Sequence, residues 1–128
     1  DKVKDLTGGK GADVIYDPVG GEVFDQSIRC INWGGRLLII GFAGGTIPTL
    51  PVNYPLIKGF SVVGVRAGEF GRRDPLLGRE NIDIINSLAE DNKIRPHICK
   101  IFDFIDSKKA LEFLENRELI GKVVIRIS

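Results

Sequence analysis

Residues 8–45 read GGKGADVIYDPVGGEVFDQSIRCINWGGRLLIIGFAGG, and their punctuation decides the fold. Residues 13–17, DVIYD, form a short apolar run that Pro18 and Gly20-Gly21 stop, as expected of a strand. From 22 to 33, Val23, Phe24, Ser27, Ile28 and Ile31 recur at helical spacing, and Gly34-Gly35 ends the pattern. Residues 36–41, RLLIIG, are apolar without alternation, which suits a strand buried on both faces of a parallel sheet. Strand, helix and strand in this order place both strands parallel in one sheet.

Working outward, residues 1–10 read as the tail of a helix capped by Gly8 or Gly9. Pro48 and Pro51 keep 46–52 extended, and 54–59 can hold one helical turn. The β-branched run FSVVGV, 60–65, is a third strand, and 67–75 is a loop. A longer helix is predicted from Asp74 to Asn92, with Pro75 in its first turn and Leu76, Leu77, Ile82, Ile85 and Leu88 on its apolar side. The remainder reads as strand, helix, strand. IRPHICKIF is extended, Asp106 or Ser107 caps a helix whose Ala110, Leu111 and Leu114 face inward, and KVVIRI follows Gly121. The fold class is α/β: three strands of a doubly wound parallel sheet, then a segment of different texture.

Composition narrows the function classes. The chain has 128 residues, 43% hydrophobic and 27% charged, with 18 basic and 17 acidic side chains and a net charge of +1. That balance offers no electrostatic case for nucleic acid or an anionic membrane. The apolar run Leu37 to Ile40 is far shorter than a membrane-spanning helix. Two cysteines make a disulfide scaffold unsupported and fit a reducing compartment. Cys30 and Cys99 read as ordinary buried thiols, and with the single histidine, His97, they make no zinc site. No Gly-x-Ser-x-Gly elbow accompanies His97, so hydrolase chemistry has no support. The chain begins at Asp1 and contains no Met, so it is expected to be part of a longer polypeptide.

Three loops follow the three strands: Asp17 to Gly21, Gly41 to Gly45 and Val65 to Gly68. Ligands of open α/β sheets sit at the carboxyl ends of the strands, where all three would lie. Glycine there lets a flat ring approach the backbone; equally, each loop alone could serve only to turn the chain. None is a dinucleotide fingerprint. Gly8 to Gly11 precedes its strand, and Gly41 to Gly45 runs toward Pro48 instead of a helix.

The 8–45 stretch, with SVVGV at 61–65, IRPHI at 94–98 and GKVVI at 121–125, resembles the medium-chain dehydrogenase/reductase superfamily. Within it, the sequence is similar to the zinc-free NADPH:quinone oxidoreductase branch, of which zeta-crystallin is representative. The resemblance covers nearly the whole chain but only the C-terminal part of such enzymes. It implies that residues 1–67 are the C-terminal half of a Rossmann-type NAD(P)-binding domain. Residues 68–128 would be a connecting helix and the returning part of a GroES-like catalytic domain.

The implied activity is hydride transfer from NADPH, or from NADH, to a quinone or other conjugated carbonyl. A phosphate-binding turn would precede Asp1, so the 128-residue chain alone is expected to be inactive. In the family, Val19 and Gly20 would border the cofactor cleft. Gly41, Phe42, Ala43 and Gly44 would lie against the nicotinamide, and Val63, Gly64 and Val65 on its carboxamide side. Arg117, four residues before Gly121, with Lys122, would meet the cofactor phosphates. No proton donor is assigned. The resemblance further implies a homodimer through strand 60–66 and a cytoplasmic location, with a mitochondrial one left open. Two rivals stand beside this reading: an enoyl-thioester reductase of the same superfamily, and a non-catalytic structural or RNA-binding role.

Overall fold

A computed structural model describes every residue except 117, 118 and 128. The chain divides into two compact units, Asp1–Arg73 and Asp74–Ser128.

The first unit begins with helix α1, Lys2–Leu6. The Gly9 N–H donates to the Lys4 carbonyl at 2.8 Å, and the Gly8 N–H to that of Asp5 at 3.5 Å. This paired closure is the glycine cap the sequence predicts. The Thr7 hydroxyl then accepts the Gly11 N–H at 2.9 Å and leads the chain into strand β1, Ala12–Asp17. Helix α2, Gly21–Cys30, follows, then strand β2, Ile31–Ile39, helix α3, Asn53–Lys58, and strand β3, Ser61–Gly64. The sheet order is β1-β2-β3, all parallel.

Register aligns the carboxyl ends. Asp17, Ile39 and Gly64 lie side by side, as do Ile15, Leu37 and Val62. The second row faces α2, because Leu37, at 0% exposure, packs with Phe24, Ile28, Ile31 and Phe60. Burying each such side chain contributes about 1.5–3 kcal/mol. The opposite row, Tyr16, Leu38 and Val63, is only half-buried to exposed, so the described residues do not cover β2 on both faces.

Two element assignments in this unit are corrected. The helix does not run to Trp33: it ends at Cys30, and Ile31 to Gly35 belong to β2. Ile31 stays buried either way, so its helical spacing was uninformative. The strand assignment is enforced by partners outside the segment. The Asn32 amide donates to the Asp13 carboxylate at 2.7 Å, and the Gly34 N–H donates to the Gly59 carbonyl at 2.6 Å. The ladder skips here, from Ala12 opposite Ile31 to Val14 opposite Arg36, a bulge that absorbs the extra residues. The indole of Trp33 lies flat against Gly59, where any β-carbon would meet the ring.

The other correction is helix α4, Ala67–Arg73, where the sequence reads as a loop. Glu69 pairs with Arg73 at 3.2 Å and with Arg72 at 3.6 Å, the i,i+4 and i,i+3 spacings that support a short exposed helix.

The second unit opens with helix α5, Pro75–Glu90. Asp74 caps it by accepting the Leu77 N–H at 3.0 Å, and Pro75 fills the first turn. Strand β4, Ile98–Asp103, and strand β5, Lys122–Arg126, pair parallel across helix α6, Ser107–Glu115. Only Ala110 of the expected inward trio is buried, because α6 covers a sheet of two strands; Leu111 and Leu114 are exposed. The rings of Phe102 and Phe113 meet at 6.0 Å between centroids, with the Lys100 ammonium 4.9 and 4.8 Å from them. Cys99 is exposed and Cys30 half-buried, so neither is the buried thiol expected.

Candidate functional site

Asp17 ends β1 and turns its side chain inward, leaving 2% exposed. Its Oδ1 accepts the N–H groups of Val19 and Gly20, each at 2.9 Å. Pro18 suits this turn because it has no N–H to satisfy. The Asp17 carbonyl meanwhile accepts the Ile40 N–H at 2.9 Å and the Gly41 N–H at 3.4 Å. The following two carbonyls continue the series. Pro18 accepts the Ala43 N–H at 3.0 Å, and Val19 accepts the Gly44 N–H at 2.9 Å. The loops 17–20 and 41–45 are thus laced along their lengths.

Glycine is required at two positions in this lacing. Gly20 has φ +72° and caps α2, and a β-carbon there would lie 2.9 Å from the Thr46 carbonyl and 3.0 Å from the Phe42 ring. At Gly44 a β-carbon would lie 2.9 Å from the Val19 carbonyl oxygen. Gly41 and Gly64 differ. A β-carbon at Gly64 would touch nothing within 4 Å, and one at Gly41 only the Pro18 carbonyl at 3.5 Å. These two present open backbone surface at the carboxyl edge.

Of the expected site residues, Val19, Gly20, Gly41, Phe42, Ala43 and Gly44 form this single network. Val63 and Gly64 of β3 and Val65 just after it are exposed and join the network beside β2, the Val65 N–H donating to the Ile39 carbonyl at 2.9 Å. Lys122 belongs to β5 in the second unit, and its N–H donates to the His97 carbonyl at 2.8 Å. Arg117 lies outside the described residues.

Sequence reading missed two features. One is Asp17 itself, whose only signal was an Asx-type turn at Asp-Pro. The other is an open cleft of about 200 Å³ lined by Phe24, Ile39, Phe42, Ile47, Pro48, Leu50 and Val62. Phe42 belongs to both the laced loops and this apolar cleft.

Chemically, the two loops are neutral toward a ligand, since residues 17–20 and 41–45 contain one ionisable side chain, Asp17, and it is buried. Open glycine backbone beside an apolar wall fits a flat, uncharged ring. It does not fit a pyrophosphate, because neither loop carries a cation and the N–H groups of Val19 and Gly20 are already taken by the Asp17 carboxylate. No three His, Cys, Asp or Glu side chains cluster to hold a metal among the described residues.

Fold and loops define the class, a parallel half-sheet of Rossmann type. The profile of the family described as zinc-binding dehydrogenase matches residues 1–125, and the chain belongs to that family. A "quinone oxidoreductase-like protein 2 homolog" of Nematostella vectensis is 41% identical over 126 residues, 98% of this chain and 34% of that protein. A quinone oxidoreductase structure from Pseudomonas syringae superposes with a TM-score of 0.81 at 21% identity, covering 98% of this chain and 39% of that one. A mycobacterial protein complexed with NADPH superposes with a TM-score of 0.80 at 24% identity, covering 98% and 39%. The chain spans about a third of the length of the curated relative it matches.

Proposed function

We propose that the protein is an NADPH-dependent oxidoreductase of the zinc-free quinone oxidoreductase branch, and that this chain supplies the wall against which the nicotinamide lies. The observation that carries the reading is the pair of laced, neutral loops at the carboxyl edge of a parallel sheet, with Gly41 and Gly64 leaving backbone open beside them. When bound, NADPH supplies a hydride that a quinone or another conjugated carbonyl accepts. This chain's part is to orient the ring by backbone contact and to exclude water with Phe42 and the apolar cleft. Relatives named quinone oxidoreductase-like support that substrate class, and a neighbour solved with NADPH supports that cofactor.

The finer assignments belong to the same reading. Arg117 and Lys122 contact the cofactor phosphates, and residues 68–128 belong with a catalytic domain. The chain works in a reducing compartment, the cytoplasm, in keeping with two unpaired cysteines. It dimerises through β3, whose second edge has no strand beside it among the described residues.

The test is NADPH oxidation by the full-length protein, with 1,4-benzoquinone and crotonyl-coenzyme A thioester as competing acceptors. Faster turnover with the quinone is expected. Preference for the thioester moves the protein to the enoyl reductases, and absence of turnover with any acceptor leaves a binding protein.

A further inference from the structure

We propose that Asp17 is a positioning residue whose buried carboxylate fixes the turn between β1 and α2 from within, so that the loop 41–45 is set for the nicotinamide before cofactor arrives. The proposal rests on the cofactor reading above and names a residue that reading does not use.

A glycine-rich strand-to-helix turn ordinarily gathers N–H groups around a phosphate, and without it those donors are unsatisfied. Here the turn has that form, with Gly20 capping the ten-residue α2, yet the acceptor is internal. Asp17 Oδ1 receives two N–H groups at 2.9 Å in a site only 2% exposed. Hydrogen bonds to an ionised acceptor are the stronger kind, and no ligand is needed to form these.

The consequence passes through the backbone. Fixing the Val19 and Gly20 amides fixes the peptide planes between Asp17 and Gly20. The Pro18 and Val19 carbonyls are therefore aimed at Ala43 and Gly44, which accept that order by donating at 3.0 and 2.9 Å. The Asp17 side chain makes its hydrogen bonds to Val19 and Gly20 and acts on loop 41–45 through two carbonyls.

The experiment compares Asp17→Ala and Asp17→Asn in the full-length protein. Its probes are NADPH and 2′-phospho-ADP-ribose, which lacks the nicotinamide. Asp17→Ala removes two charge-assisted contacts within the turn and is expected to weaken NADPH binding roughly tenfold, while 2′-phospho-ADP-ribose binding stays within about twofold. NADPH deuterated on one face or the other of C4 is expected to show reduced facial selectivity of hydride transfer. Amide exchange is expected to quicken at Ala43 and Gly44 as well as at Val19 and Gly20, with no cofactor present. Asp17→Asn keeps an oxygen for both N–H groups and is expected to restore all three readouts.

Unaltered exchange at Ala43 and Gly44 overturns the proposal, as does equal weakening of both ligands or undiminished facial selectivity. Where Asp17→Ala does not fold, Asp17→Ser carries the same comparison. If wild type binds no NADPH while exchange still responds to Asp17, the cofactor reading has failed and the proposal falls with it. If wild type binds NADPH and Asp17→Ala binds it equally well, only the proposal falls.

Discussion

Gly44→Ala is the most economical perturbation of the laced loops. The added carbon would sit 2.9 Å from the Val19 carbonyl oxygen and 3.3 Å from Val19 Cγ1, whereas ordinary contact begins at 3.4 Å, so the loops must part by 3.4 − 2.9 = 0.5 Å. The obstacle is backbone and cannot rotate away. The Gly44 N–H to Val19 bond, now 2.9 Å, is then stretched and weakened, a loss of at most about 0.5–1.5 kcal/mol. Gly44 is not in the left-handed region, so alanine also restricts the unfolded chain and returns about 0.4–1 kcal/mol. Net stability should therefore change by less than about 1 kcal/mol. Function should not be spared, because a displacement of about 1 Å at a reacting centre can cost roughly a hundredfold in rate, and half of that about tenfold. The assay is kcat at saturating NADPH together with thermal unfolding, in the full-length protein. A near-native Tm with kcat down about tenfold is expected. A lowered Tm with native kcat would refute the reasoning and leave Gly44 as a turn residue only.

Other substitutions test separate links. Gly64→Ala meets no protein atom within 4 Å, so thermal unfolding should be unmoved while NADPH affinity falls; unchanged affinity removes β3 from the site. Val62→Pro removes a donor from the open edge of β3, since the Val63 N–H lies with that of Val65 on the β2 side, and should convert a dimer to a monomer in sedimentation; a variant that remains dimeric at equal concentration places the interface elsewhere. Asp74→Ala deletes the α5 cap and should cost about 1 kcal/mol in denaturant unfolding, with NADPH affinity unaffected. The Lys109 ammonium is held above its ordinary value of 10.5 by its hydrogen bond to Asp106 and by the Asp106 charge. Being raised, its contribution is complete below pH 10.5 and fades as pH rises through the folded value. Asp106→Asn should lower the Lys109 midpoint in an NMR titration, and an unchanged midpoint would assign the shift to another neighbour.

The sheet was legible because its signals are redundant. DVIYD, RLLIIG and SVVGV each carry strand composition, and the glycines between them restrict the connections. Boundaries failed where one residue satisfies two patterns. Ile31 is buried as a helix residue or as a strand residue, and only Asp13 and Gly59, distant in sequence, choose between them. At α4, Gly68 and Gly71 suggested a loop, and the Glu69 pairs that favour helix are weak contributions that outweigh them only locally. In the site, the glycine loops announced themselves, but the Asp17 carboxylate did not. Its importance arises from where its neighbours' carbonyls point, which is a property of the folded turn.

The placement of the aromatic chromophores gives the molecule an asymmetric optical character. Trp33, against Gly59, lies near the amino end of β2, and the two tyrosines, Tyr16 and Tyr54, share its unit. Residues 74–128 contain neither tryptophan nor tyrosine. Intrinsic emission therefore reports residues 1–73 alone, while far-ultraviolet dichroism reports both units. Superimposable melts in the two signals would mean that the halves come apart as one cooperative body. An emission curve that departs from the dichroism curve would expose their separate melting without any label.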